Sequence, residues 1–260
     1  MKNFFDLTGK TAVVTGGAGL LGKVVSQGLA AYGATVYVAD LDIKTAKSVC
    51  ASSQPKIGRL IPIALDITKS QSIRSCVKKI LAEARNIDVW VNSAYPRTKD
   101  WGVTFEKIKP TSWKKNIDDH LNGYCFCCQV VAEQMKKQKG GSIINMASIY
   151  GVQGPDFSIY ENTNMTMPAA YSVIKGGIVN FTRYLASYYG KHGVRINAIS
   201  PGGVVDDQPE TFIKKYSMKT PLGRMAKPED VVGAVLYLAS SASSYVTGHN
   251  LVVDGGVTVS

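Results

Sequence analysis

The sequence is poor in the features that mark several large protein classes. No apolar run approaches the roughly 20 residues that span a bilayer, which excludes a transmembrane chain and a membrane partner. No block of five or six like charges occurs, so there is no basic arm of the kind that binds nucleic acid. Cysteine is scarce and odd in number, five in all, which argues against a disulfide framework. Cys125 and Cys128 form a C-x-x-C, but no second pair and no His at ligand spacing accompany it. Buried structural thiols are the reading, and no metal site is expected. Repeats, low-complexity tracts and Pro/Gly linkers are missing, so residues 1–260 read as a single domain. The opening MKNFFDLTGKTAVVT has no long apolar signal core. With unpaired thiols, a reducing cytoplasm is the expected location.

What is present is a globular domain with a basic excess. Apolar residues make up 45%, too many for a disordered chain. At 260 residues the chain suits one domain with an ample core. The formal charge of +11 draws anions, so it fits either a phosphate-bearing ligand or merely a solvated basic surface. Nucleic acid is supported by charge alone and is not an expected partner. The expected partner is a small molecule.

Short β-branched runs alternate with longer helical patterns. Strands are predicted at 11–15, 34–40, 59–66, 87–93, 142–148, 194–200 and 250–254. Helices are predicted near 20–32, 42–51, 69–85, 112–138, 170–190 and 228–240. The alternation predicts an α/β fold: one doubly wound Rossmann domain, a seven-stranded parallel sheet with helices on both faces. Two long irregular connections, 149–170 and 201–227, follow the fifth and sixth strands. Ligands bind outside the C-terminal ends of such strands, so both connections are functional candidates. They give a substrate-side insertion at about 150–170 and a substrate loop at about 203–227.

The first strand runs into TGGAGLLG at 15–22, and a helix follows. Gly16 and Gly19 permit a tight turn and a close approach to a pyrophosphate, and Gly22 permits close helix–sheet packing. The helix N-terminus then offers free N–H groups to the phosphates. Asp40 ends the second strand about 20 residues on. There it can accept hydrogen bonds from both adenosine ribose hydroxyls and repel a 2′-phosphate, which favours NAD over NADP. Alternatively, Asp40 caps the helix that follows.

Tyr171 and Lys175 form a YxxxK opening a helix, so both side chains share one face. Ser148 ends the preceding strand. Together with TGGAGLLG, Asp66, Asn92-Ser-Ala94, Pro201-Gly202 and LVVDGG at 251–256, this set resembles the short-chain dehydrogenase/reductase family along nearly the whole chain. The resemblance implies an enzyme in which Tyr171 is the general acid/base, Lys175 lowers its pKa and holds the nicotinamide ribose, and Ser148 orients the substrate oxygen. It further implies cofactor contacts from Gly16, Gly19, Leu20, Leu21, Asp40, Asp66, Ile67, Asn92, Ala94, Tyr171, Lys175, Pro201, Gly202 and Val204. NAD is the implied cofactor, and a homotetramer or homodimer the implied assembly.

Four departures stand out. Leu20 occupies a position where most family members have glycine, so the loop also resembles the TGxxGxxG of the extended sugar-nucleotide epimerase branch. Short length and the closing VDGG argue against that branch. NNAG has become NSAY, which puts Tyr95 near the site. His120 aligns with the family's relay asparagine, and an imidazole can also relay protons near neutral pH or merely pack. Finally, Ser148 and Tyr171 stand further apart than the family's usual spacing, with the polar IYENTNMTMP between them. This insertion, with PGGVVDDQPETF and PLGRM, is similar to the flagellin-modification type of bacterial sugar-pathway reductase.

The expected function is NAD(H)-dependent interconversion of a secondary alcohol and a ketone on a sugar, sugar phosphate or nucleotide sugar, in surface-glycan or flagellin-glycan synthesis. The alternatives are a 3-oxoacyl thioester reductase and a catalytically inactive dinucleotide-binding regulator.

Overall fold

A computed structural model describes residues 3–260. Seven strands form one wholly parallel sheet: β1 Thr11–Thr15, β2 Thr35–Asp40, β3 Arg59–Ala64, β4 Val89–Asn92, β5 Gly141–Met146, β6 Val194–Pro201 and β7 Asn250–Val253. Their order across the sheet is β3-β2-β1-β4-β5-β6-β7. The direction of winding reverses between β1 and β4, where Thr15 lies opposite Asn92. A crevice opens at such a switch point. The predicted α/β doubly wound architecture is therefore present.

Strand residues alternate between two cores because successive side chains leave opposite faces. Val13, Trp90, Ile143 and Ile196 face the helices α3 (Ser70–Glu83), α5 (Gly123–Lys137) and α6 (Ala169–Tyr189). Val14, Val36, Val91 and Ile144 face α1 (Leu20–Ala31) and α8 (Val232–Ala239). The remaining helices are α2 (Ile43–Ser52), α4 (Pro110–Asn116) and α7 (Glu210–Met218).

Two helical expectations change. The single helix predicted at 112–138 is two helices joined by a π-helical turn, Ile117–Asn122. Periodicity reads apolar spacing, and one wider turn hardly disturbs it. The stretch 201–227, read as a loop, contains α7. Its apolar face does not meet the sheet. Phe212 and Tyr216 pack instead on Ile159 and Tyr160 of the 149–170 connection, with Met225, in a separate small core. Among the described residues no helix is long and apolar enough to cross a membrane. All five cysteines are free, with Cys76, Cys127 and Cys128 buried.

Candidate active site

The glycine loop is shaped by close backbone contacts. Gly16 has φ +60°, and a Cβ there would lie 2.6 Å from Ala94 Cα. Only glycine both takes this conformation cheaply and lets the loops after β1 and β4 touch. Gly22 serves the loop rather than the sheet, because a Cβ there would strike the Gly16 carbonyl. Thr15 Oγ1 accepts from the N–H groups of Ser93 and Ala94 at 3.0 and 3.2 Å, which ties the NSAY turn to β1. The first turn of α1 has neither a side-chain cap nor an acidic residue. Its N–H groups and the positive end of its dipole are left to a ligand.

Asp40 does not cap α2; Asp42 does, accepting from Lys44 N–H at 2.9 Å. One Asp40 oxygen accepts from Ala18 N–H in the glycine loop and the other from Asp42 N–H, each at 3.1 Å. Both bonds fix the carboxylate at the cavity wall. Asp66 is held similarly, accepting from Thr68 N–H at 3.0 Å and Thr68 Oγ1 at 2.7 Å, with Lys69 beside it at 3.2 Å.

Ser148 stands just beyond β5, and its Oγ accepts from Tyr150 N–H at 3.2 Å. Tyr171 and Lys175 lie on the first turns of α6, facing it. Burial pushes the Tyr171 phenol up, and a hydrogen bond with Ser148 opposes that rise. Burial lowers the Lys175 ammonium to about 7. Lys175 Nζ donates to the Met146 carbonyl at 2.7 Å and lies 5.4 Å from the Tyr171 ring centroid. In this geometry burial and Ser148, rather than Lys175, govern the phenol.

His120 is buried behind Lys175, on the π-helical turn, with Nε2 3.4 Å from Lys175 Nζ. Burial and the neighbouring ammonium hold its imidazole neutral by pushing its pKa well below the usual histidine range. Its Nδ1 has no hydrogen-bond partner among the described residues. It touches Tyr95 and Tyr124 edge-on or tilted, with ring centroids 5.4 and 5.2 Å away.

One cavity of about 970 Å³ joins these parts. Gly16, Gly19, Leu20, Leu21, Asp40, Asp66, Ile67, Ala94, Ser148, Tyr171, Lys175, Pro201, Gly202 and Val204 all line it. Asn92 does not. Its side chain is buried, accepting from Trp90 Nε1 at 2.8 Å and donating to Asn145 Oδ1 at 2.8 Å, so it props the sheet end instead. His120 also stands outside the cavity wall.

The groove from Asp40 to Lys175 fits a nicotinamide dinucleotide: bare glycine backbone, an uncapped helix end and a fixed carboxylate are the parts such a molecule needs. No group of three or more His, Cys, Asp or Glu side chains among the described residues is placed to hold a metal.

Sequence reasoning missed most of the far end. Trp101, Tyr150, Tyr160, Phe212 and Tyr216 form an aromatic chamber around Tyr171, with Asn164, Thr166 and Gln208 as polar wall groups. Trp101 and Tyr150 lie 6.3 and 6.5 Å from the Tyr171 ring. Tyr216 Oη accepts from Gly203 N–H at 2.5 Å, which brings α7 onto the strand end. No spacing rule announces such a wall, because its members come from three separate segments: the loop after β4, the 149–170 connection and the stretch after β6 that contains α7. Only the polar insertion hinted at it.

Comparison with known proteins completes the description. Residues 17–258 match the family model described as enoyl-(acyl carrier protein) reductase. The chain is 32% identical over 252 residues to post-translational flagellin modification protein A of Campylobacter coli, covering 96% of this chain and 98% of the relative. It is 32% identical over 261 residues to a 3-oxoacyl-[acyl-carrier-protein] reductase of Thermotoga maritima, covering 97% and 99%. A probable galactose dehydrogenase of Rhizobium meliloti is 30% identical over 263 residues, covering 98% of each. Among solved structures, a short chain dehydrogenase of Leptospira borgpetersenii with bound NAD+ superposes with TM-score 0.85 at 34% identity, covering 100% of this chain and 97% of that one.

Proposed function

Because this chain belongs to the short-chain dehydrogenase/reductase family of oxidoreductases, we propose that it uses NAD(H) to interconvert a secondary alcohol and a ketone on a sugar-type substrate. One observation carries this reading. A single cavity runs from the Asp40 carboxylate, past Ser148, Tyr171 and Lys175, into an aromatic chamber with amide and hydroxyl walls. Asp40 favours free ribose hydroxyls over a phosphorylated ribose, and the residue directly after it, Leu41, which lines the wall there, is not basic. Aromatic faces with scattered amides suit a hydroxyl-rich ring or chain. The galactose dehydrogenase relative supports such a substrate, and the flagellin modification relative supports a place in surface-glycan synthesis.

The nicotinamide dinucleotide, when bound, supplies or accepts the hydride. The chain's own residues handle position and protons. In reduction, Tyr171 Oη gives its proton to the substrate oxygen as that oxygen becomes a hydroxyl; in oxidation it takes the proton back. Ser148 Oγ hydrogen-bonds the same oxygen and holds it beside the phenol. The Ser148 hydrogen bond opposes the rise that burial imposes on the phenol, and Lys175 stands beside the ring, where it can hold the nicotinamide ribose. Neutral His120 behind it gives the lysine a hydrogen-bonding neighbour that can relay protons. The stacked ladder of Phe181, Tyr184 and Tyr188 on the outer face of α6 supports assembly of copies of the chain, and the unpaired thiols a cytoplasmic location.

The test is a fluorescence titration with NADH and NADPH. NADH is expected to bind at least about tenfold more tightly, a difference of about 1.4 kcal/mol. Asp40→Ala should weaken NADH more than NADPH. Equal losses would sink the Asp40 assignment. Preference for NADPH would promote the 3-oxoacyl reductase reading, which the Thermotoga maritima relative favours.

A further inference from the structure

The substrate end of the cavity holds a cation that forms no ion pair among the described residues, although the carboxylate of Asp206 also lines the cavity. Arg97 follows β4 and lines the cavity. Its guanidinium carbon lies 5.0 Å from the centroid of the Tyr95 ring. Tyr95 in turn stands edge-on to Tyr171, with 5.8 Å between centroids. The guanidinium is therefore one aromatic ring away from the phenol that exchanges the proton. Its backbone is presented from a pinned turn: Thr98 N–H donates to Asn116 Oδ1, and Asn116 Nδ2 donates back to Thr98 Oγ1, both at 2.9 Å. None of the ion pairs among the described residues involves Arg97. Nor is it placed for the adenosine end, since Asp40 ends β2 and Arg97 stands with Tyr95 and Tyr171.

A planar guanidinium offers a fork of donors that matches a carboxylate or a phosphate. Stacking on Tyr95 orients that fork before a ligand arrives. Arg97 and Tyr95 are both open to solvent, so the guanidinium stands at the mouth of the cavity, where a two-pronged contact rather than dryness gives the pairing its strength. Asn164, Thr166 and Gln208 meanwhile offer partners to hydroxyl groups. We propose that Arg97 binds the anionic end of the substrate, which makes the reacting molecule a polyhydroxylated anion, either a sugar acid or a sugar phosphate. This rests on the sugar-type reading above and narrows it.

The experiment compares matched neutral and charged probes: sorbitol, gluconate and 6-phosphogluconate, with other alditol, aldonate and phosphoaldonate sets of different stereochemistry. Turnover with NAD+ is measured for the wild type, Arg97→Met and Arg97→Lys, and calorimetry follows binding of the same anions to the enzyme–NADH complex. Anions should exceed their neutral partners in kcat/KM by about fivefold, the scale of an ion pair open to solvent. Arg97→Met should erase that advantage through KM, with kcat within about threefold and NADH affinity unchanged; Arg97→Lys should restore part of it. Preference for gluconate identifies a carboxylate, and preference for 6-phosphogluconate a phosphate ester. If sugars turn over regardless of charge, or Arg97→Met costs sorbitol and gluconate equally, the Arg97 assignment fails and the sugar-type reading stands. If the anions bind through Arg97 but no sugar is oxidised or its ketone reduced, the reading fails and the anion site stands. If no anion binds and no sugar reacts, both are overturned.

Discussion

The two ends of the cavity are built in different ways. At the Asp40 end the wall is backbone: glycines, an uncapped helix terminus, and carboxylates tied to N–H groups within a few residues or one strand away. At the Tyr216 end the wall is side chain: rings and amides brought together from the loop after β4, the 149–170 connection and the segment after β6. Backbone sites tolerate little change because their geometry comes from the peptide itself. Side-chain chambers are open to substitution, since each ring can be exchanged while the sheet beneath stays intact. The same fold thereby holds one part constant and leaves the other free to set specificity.

Tyr171→Phe tests the boundary between the ends and should have the largest effect. Loss of one oxygen should lower kcat by about 100-fold to 10,000-fold, the usual contribution of a positioned acid or base. NADH and substrate affinities should change little, and turnover that survives largely intact would reject the proton-transfer role. Gly16→Val attacks the backbone end. Its positive φ and contact with Ala94 predict a loss of about 2–4 kcal/mol of stability and at least about tenfold in NADH affinity, read by thermal melts and titration. Phe212→Ala attacks the opposite end. It should cost up to about 3 kcal/mol by cavity formation and raise the substrate KM, while NADH affinity stays within about twofold. If NADH affinity fell as far as substrate affinity, the two ends would not be separable. Lys219→Ala is the smallest change. Lys219 pairs with Asp156 and donates to Ser158 Oγ at 2.9 Å, so it pins α7 to the 149–170 connection at the surface. Exposed pairs of this kind contribute less than about 1 kcal/mol, so a melt should barely move, and any rise in KM should fade in high salt.

The legibility of the sequence followed the same division. TGGAGLLG, Asp40 and the YxxxK of Tyr171 and Lys175 could be read because each is short, ordered and tied to a strand end or a helix start. The strand edges agreed to within a few residues because β-branched runs mark buried parallel strands. Asn92 misled, since a motif position says nothing of where an amide turns; here Trp90 and Asn145 claim it. α7 stayed hidden because its apolar residues face the insertion rather than the sheet, so its partner lies outside the regular pattern. The π-helical turn under His120 was invisible because one wider turn leaves the neighbouring apolar spacing almost unchanged.

The small core shared by Ile159, Tyr160, Phe212, Tyr216 and Met225 has a consequence for how such a chain can change over time. Two stretches separated by α6 and β6 are fastened to each other by that core and by Lys215, whose Nζ donates to the carbonyls of Ser158 and Glu161 at 3.0 Å. Neither stretch can be lengthened, shortened or transplanted alone without exposing the apolar side of the other. A graft that aims to move this enzyme's specificity onto another scaffold has to carry both pieces together, and descendants that lose the insertion must rebuild α7 in the same step.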